Sequence, residues 1–370
     1  MAHTPQTMRS LVAPKRCTPA GYEVQEMATA QITMPTQVLI RVRAASVSPG
    51  ELQALAGIMS GFIAKEFPFK IGLEGAGVVV AVGSEVKSLN VGSEVYGLCV
   101  DKPMFRMAVP PGFASEYAVA EERFLLPKPA SVSFEEAAAA AGSITTALQT
   151  IRRGLQLGGL ESLEGKTVFV PAGLGATGSV AVQMAKKVFG ASRIITTVST
   201  AKVPLVERLL PGIVDLVIDY KTQKLDELVP RGSVDFMYNT TFATMDAGIP
   251  LLKPDTGILM SIASVPSKAV MREIMGADRF PRLLGLLLDL CQLWYRWKLR
   301  GTNIKYEFVS GGVQIREDLE KAGEILAVGK VKPVVRGVDL DDLEAVRTGC
   351  EAVRTGRGGT GKFVIRPKPI

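Results

Sequence analysis

The stretch that decides the fold is Val168-Phe-Val-Pro-Ala-Gly-Leu-Gly-Ala-Thr-Gly178, in which a short apolar run ends in the pattern Gly-x-Gly-x-x-Gly. A helical pattern, residues 179–188, follows at once. The order of strand, glycine turn and helix is the one that a dinucleotide site requires. The alternative is a glycine-rich turn between a strand and a helix that binds no ligand.

Each glycine of this motif has a separate physical task. Gly173 permits the tight turn, Gly175 lets the backbone approach a pyrophosphate, and Gly178 lets the helix pack close to the strand. Ala176 and Thr177 then open the helix, where main-chain N–H groups and a partial positive charge favour phosphate. These five residues are the predicted pyrophosphate site.

Apolar runs alternate with helical stretches through the second half of the chain. The runs are Val168–Val170, Ile194–Val198, Leu216–Ile218, Val234–Tyr238 and Gly257–Ile262. Alternation of this kind predicts an α/β fold with a doubly wound parallel sheet covered on both faces. Ile304–Val309 is predicted to be a further strand.

The first part of the chain is instead rich in short strands. The predicted strands include residues 37–47, 75–83 and 91–97. Ser133, with Glu136 three residues later, predicts a capping box at the start of a helix. Arg316–Val328 is an amphipathic pattern, and the strand-like tail 361–366 is predicted to return to the first domain.

Length and composition exclude several classes of function. At 370 residues the chain is long enough for about two domains. The only histidine is His3, which removes the Ser-His-Asp triad, the Cys-His pair and the ordinary catalytic zinc site. The cysteines have no paired spacing, which favours a reducing compartment; they are Cys17, Cys99, Cys291 and Cys350.

The charge pattern bears on partners and location. The net charge is +7, but the basic residues are spread along the chain, so we expect no nucleic-acid partner. The first residues lack the pattern of a signal peptide, which predicts a cytoplasmic protein.

Residues 283–295 are very apolar, yet too short to span a membrane. One interpretation is a buried helix or the wall of an apolar substrate pocket. The other is a peripheral membrane contact through residues 283–300, because Trp and Tyr lie beside basic residues. The basic residues are Arg282, Arg296, Lys298 and Arg300.

The end of the second strand of the parallel sheet favours NADPH over NADH. An NAD site usually has an acidic residue there, whereas this strand is followed by Ser199, Thr200 and Lys202. Hydroxyl and ammonium groups can bind a 2′-phosphate that a carboxylate would repel. A solvated lysine in the first turn of a helix is the alternative for Lys202. Tyr220, at the end of the third strand, is predicted to lie on the ligand side of the sheet.

Taken together, these segments resemble the medium-chain dehydrogenase/reductase superfamily over nearly the whole chain. The order and spacing of the motifs carry the resemblance. They are Ala44–Gly50, Gly72–Gly83, Val91–Gly97, Gly112–Tyr117, Leu126-Pro-Lys-Pro with Ser133–Ala138, the glycine motif, Val217–Tyr220 and Gly361–Val364.

The resemblance implies a GroES-like β-rich catalytic domain, residues 1–134 and 310–370, interrupted by a Rossmann domain, residues 135–309. It also implies that the cofactor lies between them and that Thr146, Asn239 and Ile262 lie near the nicotinamide. On the same analogy the strand at 304–309 continues the sheet across a dimer contact, so the chain is expected to be a monomer or a homodimer.

The sequence departs from the zinc-dependent members of that superfamily. Their histidine before Glu74 is replaced by Leu73, and their catalytic cysteine by Ser46-Val-Ser48. The four-cysteine structural zinc lobe is missing, because Cys99 stands alone. We therefore expect no metal.

The pattern is closer to zinc-free quinone oxidoreductases and to enoyl reductases, including fungal trans-acting enzymes that serve polyketide synthases. The resemblance implies NADPH-dependent reduction of a C=C bond conjugated to a carbonyl, in an apolar small molecule or carrier-bound substrate of secondary metabolism. Ser48 is the candidate donor to substrate or ribose, with a structural cap as the alternative. The loop Ile58–Phe62 has no tyrosine, which leaves the proton donor unassigned.

Two other functions remain open at this point. A cofactor-binding protein with non-redox chemistry, a cyclase or isomerase acting on a reactive polyketide, is motivated by the altered motif Ser48–Glu51. A membrane-associated binding module without catalysis is motivated by residues 283–300.

Overall fold

The computed structural model describes residues 4–58, 66–99, 112–276, 280–312, 315–357 and 359–367. His3 and residues 59–62 of the loop Ile58–Phe62 lie outside the described residues. Packing divides the chain into two units. Unit 1 comprises residues 1–142, 313–327 and 333–370, and unit 2 comprises residues 143–312 and 328–332. The domain limits expected from the sequence were 134/135 and 309/310.

Strands occur along the whole described chain. They are β1 (Thr7–Ala13), β2 (Glu23–Ala28), β3 (Gln37–Ser46), β4 (Phe69–Lys70), β5 (Glu74–Val82), β6 (Glu94–Leu98), β7 (Tyr117–Glu121), β8 (Leu125–Pro127), β9 (Thr167–Pro171), β10 (Arg193–Val198), β11 (Leu216–Asp219), β12 (Phe236–Asn239), β13 (Ile258–Ser261), β14 (Lys305–Phe308), β15 (Val335–Asp339) and β16 (Lys362–Arg366).

The α-helices are concentrated after residue 130. They are α1 (Pro49–Leu55), α2 (Phe134–Ala138), α3 (Ala141–Gly158), α4 (Ala176–Gln183), α5 (Val203–Leu209), α6 (Leu225–Leu228), α7 (Met245–Gly248), α8 (Lys268–Met275), α9 (Arg282–Lys298), α10 (Arg316–Ala327) and α11 (Leu343–Thr355).

Unit 2 is built on a six-stranded parallel sheet in the order β11-β10-β9-β12-β13-β14. This is the 3-2-1-4-5-6 order of a Rossmann domain, and it confirms the predicted doubly wound α/β fold. Five of the strands each contribute a buried side chain to one core; these are Phe169, Ile195, Ile218, Met237 and Leu259. The carboxyl ends of all six strands lie at one edge of the sheet.

Unit 1 contains a three-stranded sheet, β2-β1-β4, and a seven-stranded sheet, β15-β16-β3-β5-β6-β8, to which β7 pairs through β3. Neighbouring strands are antiparallel except for β15 and β16. Because β16 pairs with β3, the predicted return of the tail to the first domain is confirmed.

Several local predictions are also confirmed. Ser133 and Glu136 form the reciprocal bonds of a capping box at α2. The four apolar positions of α10 at helical spacing are buried; they are Leu319, Ala322, Ile325 and Leu326.

Two helices differ from expectation. The pattern 179–188 predicts one α-helix, but α4 ends at Gln183 and the chain continues in a π-helical turn, Met184–Val188. The Gln183 side-chain amide donates to the Ser179 carbonyl at 2.8 Å, and insertion of a side chain into the helical ladder favours such a turn. The interpretation of 283–295 as a buried helix is wrong, because most large apolar side chains of α9 are more than half exposed.

A buried ion pair joins β5 and β16 in unit 1. Lys362 Nζ lies 3.0 Å from Glu74 Oε1, and both residues are only 7% exposed. The Gly142 N–H donates to Glu74 Oε2 at 3.3 Å, which ties the start of α3 to the same carboxylate. Loss of either charge leaves the other buried without its partner, and this is the costly case.

We expect Glu74→Gln and Lys362→Met each to lower the free energy of unfolding by about 3–5 kcal/mol. The double variant buries no lone charge, so its loss should be smaller than the sum of the two single losses. Urea unfolding of the four proteins measures this coupling. Strictly additive losses would contradict it.

Candidate functional site

The predicted cofactor residues of unit 2 lie at the carboxyl edge of the parallel sheet. Each follows or ends a strand, or opens the helix after it, with the exception of Thr146 on α3. In strand order they are Gly173, Gly175, Ala176, Thr177 and Gly178 after β9, Ser199 and Lys202 after β10, Tyr220 after β11, Asn239 in β12 and Ile262 after β13.

Two glycines of the motif are required by packing. A Cβ on Gly178 would overlap the carbonyl oxygen of Ala172, and a Cβ on Gly173 would overlap the Thr196 hydroxyl. The Gly173 N–H donates to Thr196 Oγ1 at 2.8 Å, which fixes the turn against β10. Ala172 itself has φ +52°, in the left-handed region that a side chain rarely adopts.

Gly175 differs from its neighbours, because a Cβ there would come near only its own turn, 3.1 Å from the Ala172 oxygen. It is the N-cap of α4, and no side chain caps this helix. Ala176 and Thr177, in its first turn, are partly exposed. The main-chain N–H groups of this turn therefore fit a pyrophosphate.

The turn after β10 lies beside the end of β11. The Tyr220 N–H donates to the Val198 carbonyl at 3.1 Å, and the Tyr220 side chain is 59% exposed. The Lys202 N–H donates to the Ser199 carbonyl at 2.7 Å, and both side chains are partly exposed. The sheet thus places the turn that contains Ser199 and Lys202 next to the end of the strand that precedes Tyr220.

A carboxylate that the sequence analysis did not use also lies here. Hydrogen bonds, first from the Thr200 hydroxyl and then from the Lys221 N–H and the Thr222 hydroxyl, hold the pKa of Asp219 below its ordinary value. Thr200 was expected to help bind a phosphate, but it donates to this carboxylate instead. Asp219 was visible in the motif Val217–Tyr220, and only the register of β10 against β11 places it beside Thr200.

Asn239 and Ile262 lie together at the end of β12 and β13. The Ile262 N–H donates to the Asn239 carbonyl at 3.1 Å. The buried Asn239 amide donates to Ser261 Oγ at 3.0 Å and to the Ala263 carbonyl at 3.2 Å. Within the part of the chain that the structure describes, its Oδ1 is buried and has no hydrogen-bond donor.

Thr146 is half-buried on α3 and packs against Gly311, where a Cβ would overlap its hydroxyl. The structure therefore gives Thr146 a packing partner in unit 2. Its predicted role near the nicotinamide stays a prediction.

The motif Ser48–Glu51 lies in unit 1. Ser48 occupies the N-cap position of α1, but its hydroxyl makes no capping bond. The alternative role as a structural cap is therefore not supported by the geometry. Glu51 is 2% exposed, and its Oε1 accepts the Gly72 N–H at 2.8 Å. Burial raises the pKa of Glu51 to about 7, against the opposing effect of the Gly72 and Ser48 N–H groups.

The residues at the positions of a catalytic zinc site do not fit that metal. Leu73 is buried and apolar, Ser46 Oγ donates to the Ala138 carbonyl at 2.8 Å, and Glu74 is paired with Lys362. Across the described ranges, no group of three or more His, Cys, Asp and Glu side chains is placed to hold a metal.

A chain that combines a parallel Rossmann sheet, an uncapped glycine turn and a β-rich unit belongs to a class of dinucleotide-binding proteins. Comparison with known proteins agrees with this class. Residues 34–130 match the alcohol dehydrogenase GroES-like domain family. The quinone oxidoreductase from Coxiella burnetii has a similar fold, with a TM-score of 0.74 at 21% identity, covering 97% of this chain and 99% of that one.

Two curated relatives are more similar in sequence. A 2-methylene-furan-3-one reductase of Solanum lycopersicum is 32% identical over 337 residues, which are 90% of this chain and 72% of the relative. An NADPH-dependent alkenal/one oxidoreductase, chloroplastic, of Arabidopsis thaliana is 38% identical over 204 residues, 54% of this chain and 49% of the relative. The chain belongs to the medium-chain dehydrogenase/reductase superfamily, whose members are nicotinamide-dependent oxidoreductases. The predicted family membership is confirmed.

The raised pKa of Glu51 makes stability depend on pH. The folded protein holds this proton to about pH 7, whereas an unfolded chain releases it near 4.5. The contribution is therefore fully present below 4.5 and is lost as the pH rises through about 7, by on the order of 3 kcal/mol.

Glu51→Gln keeps an oxygen for the Gly72 N–H and removes the titration. We expect the wild-type protein to lose stability relative to this variant between about pH 5 and about pH 8, as measured by urea unfolding. Parallel pH profiles for the two proteins would count against this account of Glu51.

Proposed function

We propose that this chain is an NADPH-dependent reductase of C=C bonds conjugated to a carbonyl, in an enone, a quinone or an enoyl thioester. The observation that carries the substrate class is the likeness to the Solanum relative, which is named as a reductase of a methylene-furanone. The Arabidopsis relative, named for alkenals and alkenones, supports the same class.

The preference for NADPH over NADH rests on the turn after β10. No carboxylate follows directly at the end of that strand, and the hydroxyl of Ser199 and the ammonium group of Lys202 are our candidate partners for an adenosine 2′-phosphate. The Arabidopsis relative is also named as NADPH-dependent. Asp219, at the end of the neighbouring strand β11, is the acidic group that we identify near the turn after β10. Its carboxylate already accepts hydrogen bonds from Thr200, Lys221 and Thr222.

NADPH, when bound, supplies the hydride for the β-carbon of the conjugated bond, and the α-carbon takes a proton to give the saturated carbonyl. The chain's own groups bind and orient. The uncapped first turn of α4 holds the pyrophosphate, and the ends of β12 and β13, at Asn239 and Ile262, lie near the nicotinamide. Hydrogen-bond donors, not zinc, stabilise charge on the carbonyl oxygen, and Ser48 is the candidate donor.

The proposal also covers the substrate, the location and the oligomeric state of the protein. The substrate is an apolar small molecule or is carrier-bound, and it belongs to secondary metabolism. The protein acts in the cytoplasm as a monomer or a homodimer, with no nucleic-acid partner. Among the described helices, none is both long and apolar enough to cross a membrane.

Gly175→Asp tests the cofactor site, because a carboxylate before α4 repels a pyrophosphate without disturbing the packing at Gly173 and Gly178. We expect NADPH affinity to fall at least about tenfold, as measured by nucleotide fluorescence titration. Transfer of deuterium from labelled NADPH to a panel of enones should be lost in parallel.

Gly359→Asp is the matched control, because Gly359 has open space for a Cβ and lies far from the motif in sequence. Full NADPH binding by Gly175→Asp would contradict the proposed cofactor site. Turnover of the panel without nicotinamide, giving products that carry no deuterium, would instead favour a cyclase or an isomerase.

Lys202→Ala tests the choice of cofactor. Removal of the ammonium group should raise KM for NADPH about tenfold while leaving KM for NADH unchanged, because only NADPH carries the 2′-phosphate. Lys187→Ala, which removes an exposed lysine from the turn after α4, is the control. An equal change for both nucleotides would argue against a phosphate contact at Lys202.

A further inference from the structure

Helix α9 has a continuous apolar stripe on its outer side. Five leucines at helical spacing are between 52% and 70% exposed; they are Leu283, Leu286, Leu287, Leu290 and Leu293. The inner side of the same helix is held by Gly285 and Leu288, which are buried. The outer stripe thus remains after the helix has already packed against its own unit.

Two tryptophans extend the stripe towards the end of α9. Trp294 and Trp297 are 53% and 48% exposed, and their rings stack at 4.9 Å. Arg300 lies over the Trp297 ring at 4.4 Å, and Lys298 over the Trp294 ring at 5.2 Å. The stripe is roughly 21 Å long, from Leu283 to Trp297.

The apolar surface continues into a recess of about 660 Å³ beside the stripe. Leu287, Leu290 and Trp294 form one wall, and Phe242 and Val265 lie on other parts of its lining. Phe242 is itself 70% exposed, so the apolar surface is wider than one helix. Single exposed apolar residues are ordinary, whereas a contiguous patch of this kind indicates a binding surface.

The charges around the stripe are mostly positive. Segment 282–300 has four cationic side chains and one carboxylate, Asp289, which lies 3.9 Å from Lys268 Nζ. Lys298 is paired with Asp246, whereas Arg282, Arg296 and Arg300 are exposed to solvent. Exposed Arg272 of α8 lies with Arg296 around a second, neighbouring recess.

This charge pattern opposes a second copy of the same helix as the occupant. An antiparallel pair places Arg282 against the cationic end of its neighbour, and a parallel pair places each cationic end against its equivalent. Both arrangements bring like charges together. A surface of anionic lipid headgroups over an acyl layer complements the cations and the apolar stripe at the same time.

We propose that α9 is a membrane-docking helix that lies in the headgroup region of an anionic lipid surface. The leucine stripe and the two tryptophans enter the boundary of the acyl layer, and the arginines contact the headgroups. This docking does not rest on the proposed reductase activity, because none of the residues of the stripe is assigned to the cofactor.

Flotation of the full chain with vesicles tests the proposal. Wild-type protein should float with phosphatidylcholine vesicles that contain phosphatidylserine, and much less with phosphatidylcholine alone or at high salt. Leu286→Asp/Leu293→Asp should bind the anionic vesicles at least about tenfold more weakly. Leu286→Met/Leu293→Met keeps the apolar stripe and should float like the wild type.

Val328→Asp, which places a carboxylate at a 69% exposed apolar residue elsewhere, is the matched control and should also float like the wild type. Unchanged thermal unfolding and NADPH titration show that the double aspartate variant is folded. Failure of the wild type to float with anionic vesicles, or equal flotation of the double aspartate variant, overturns the proposal. Concentration-dependent dimers in sedimentation velocity that this variant abolishes, without vesicle binding, would assign the stripe to a second copy.

Discussion

The close approach of α4 to the turn after β9 is the constraint on which the cofactor site depends. Gly178 and Gly173 have no room for a Cβ, because the Ala172 carbonyl and the Thr196 hydroxyl occupy that space. This approach fixes the first turn of α4 in line with the carboxyl edge of the sheet. With glycine at its N-cap, that turn has no side chain to satisfy its N–H groups. The strongest anion-binding feature of unit 2 is thus a consequence of packing.

Unit 2 leaves main-chain N–H groups uncapped at α4, whereas unit 1 buries charged side chains. Unit 1 buries two acidic side chains. Glu74 pairs with Lys362, whereas Glu51 accepts the Gly72 N–H at Oε1 and burial raises its pKa to about 7. A medium-chain reductase with zinc would keep metal-ligating groups in this region, whereas here Leu73 and an ion pair take their place. The reduction that we propose therefore relies on neutral donors for the developing oxyanion, and the Ser48 hydroxyl, which makes no capping bond, is our candidate donor.

The Rossmann fold, the start of α2 and the buried face of α10 could be predicted from the sequence, because each depends on residues close together in the chain. The glycine spacing, the capping box at Ser133 and the periodicity of 316–328 each lie within about 13 residues of continuous chain. The partner of Asp219 could not be read, since it follows from the register of two parallel strands. The bond from Gly72 to Glu51 likewise joins positions 21 residues apart, and only the packed unit brings them together.

The orientation of α9 could not be read from the sequence, because contacts with residues distant in the chain decide which of its apolar sides faces inward. Leucines occur on both sides, so composition alone favoured burial. In the structure Gly285 and Leu288 are buried, and Gln292 and Tyr295 hydrogen-bond to the main chain of Val265. The outer leucines and tryptophans leave about half or more of their surface exposed to water. The lipid surface that we propose is the contact that covers them, and the surrounding arginines match its negative charge.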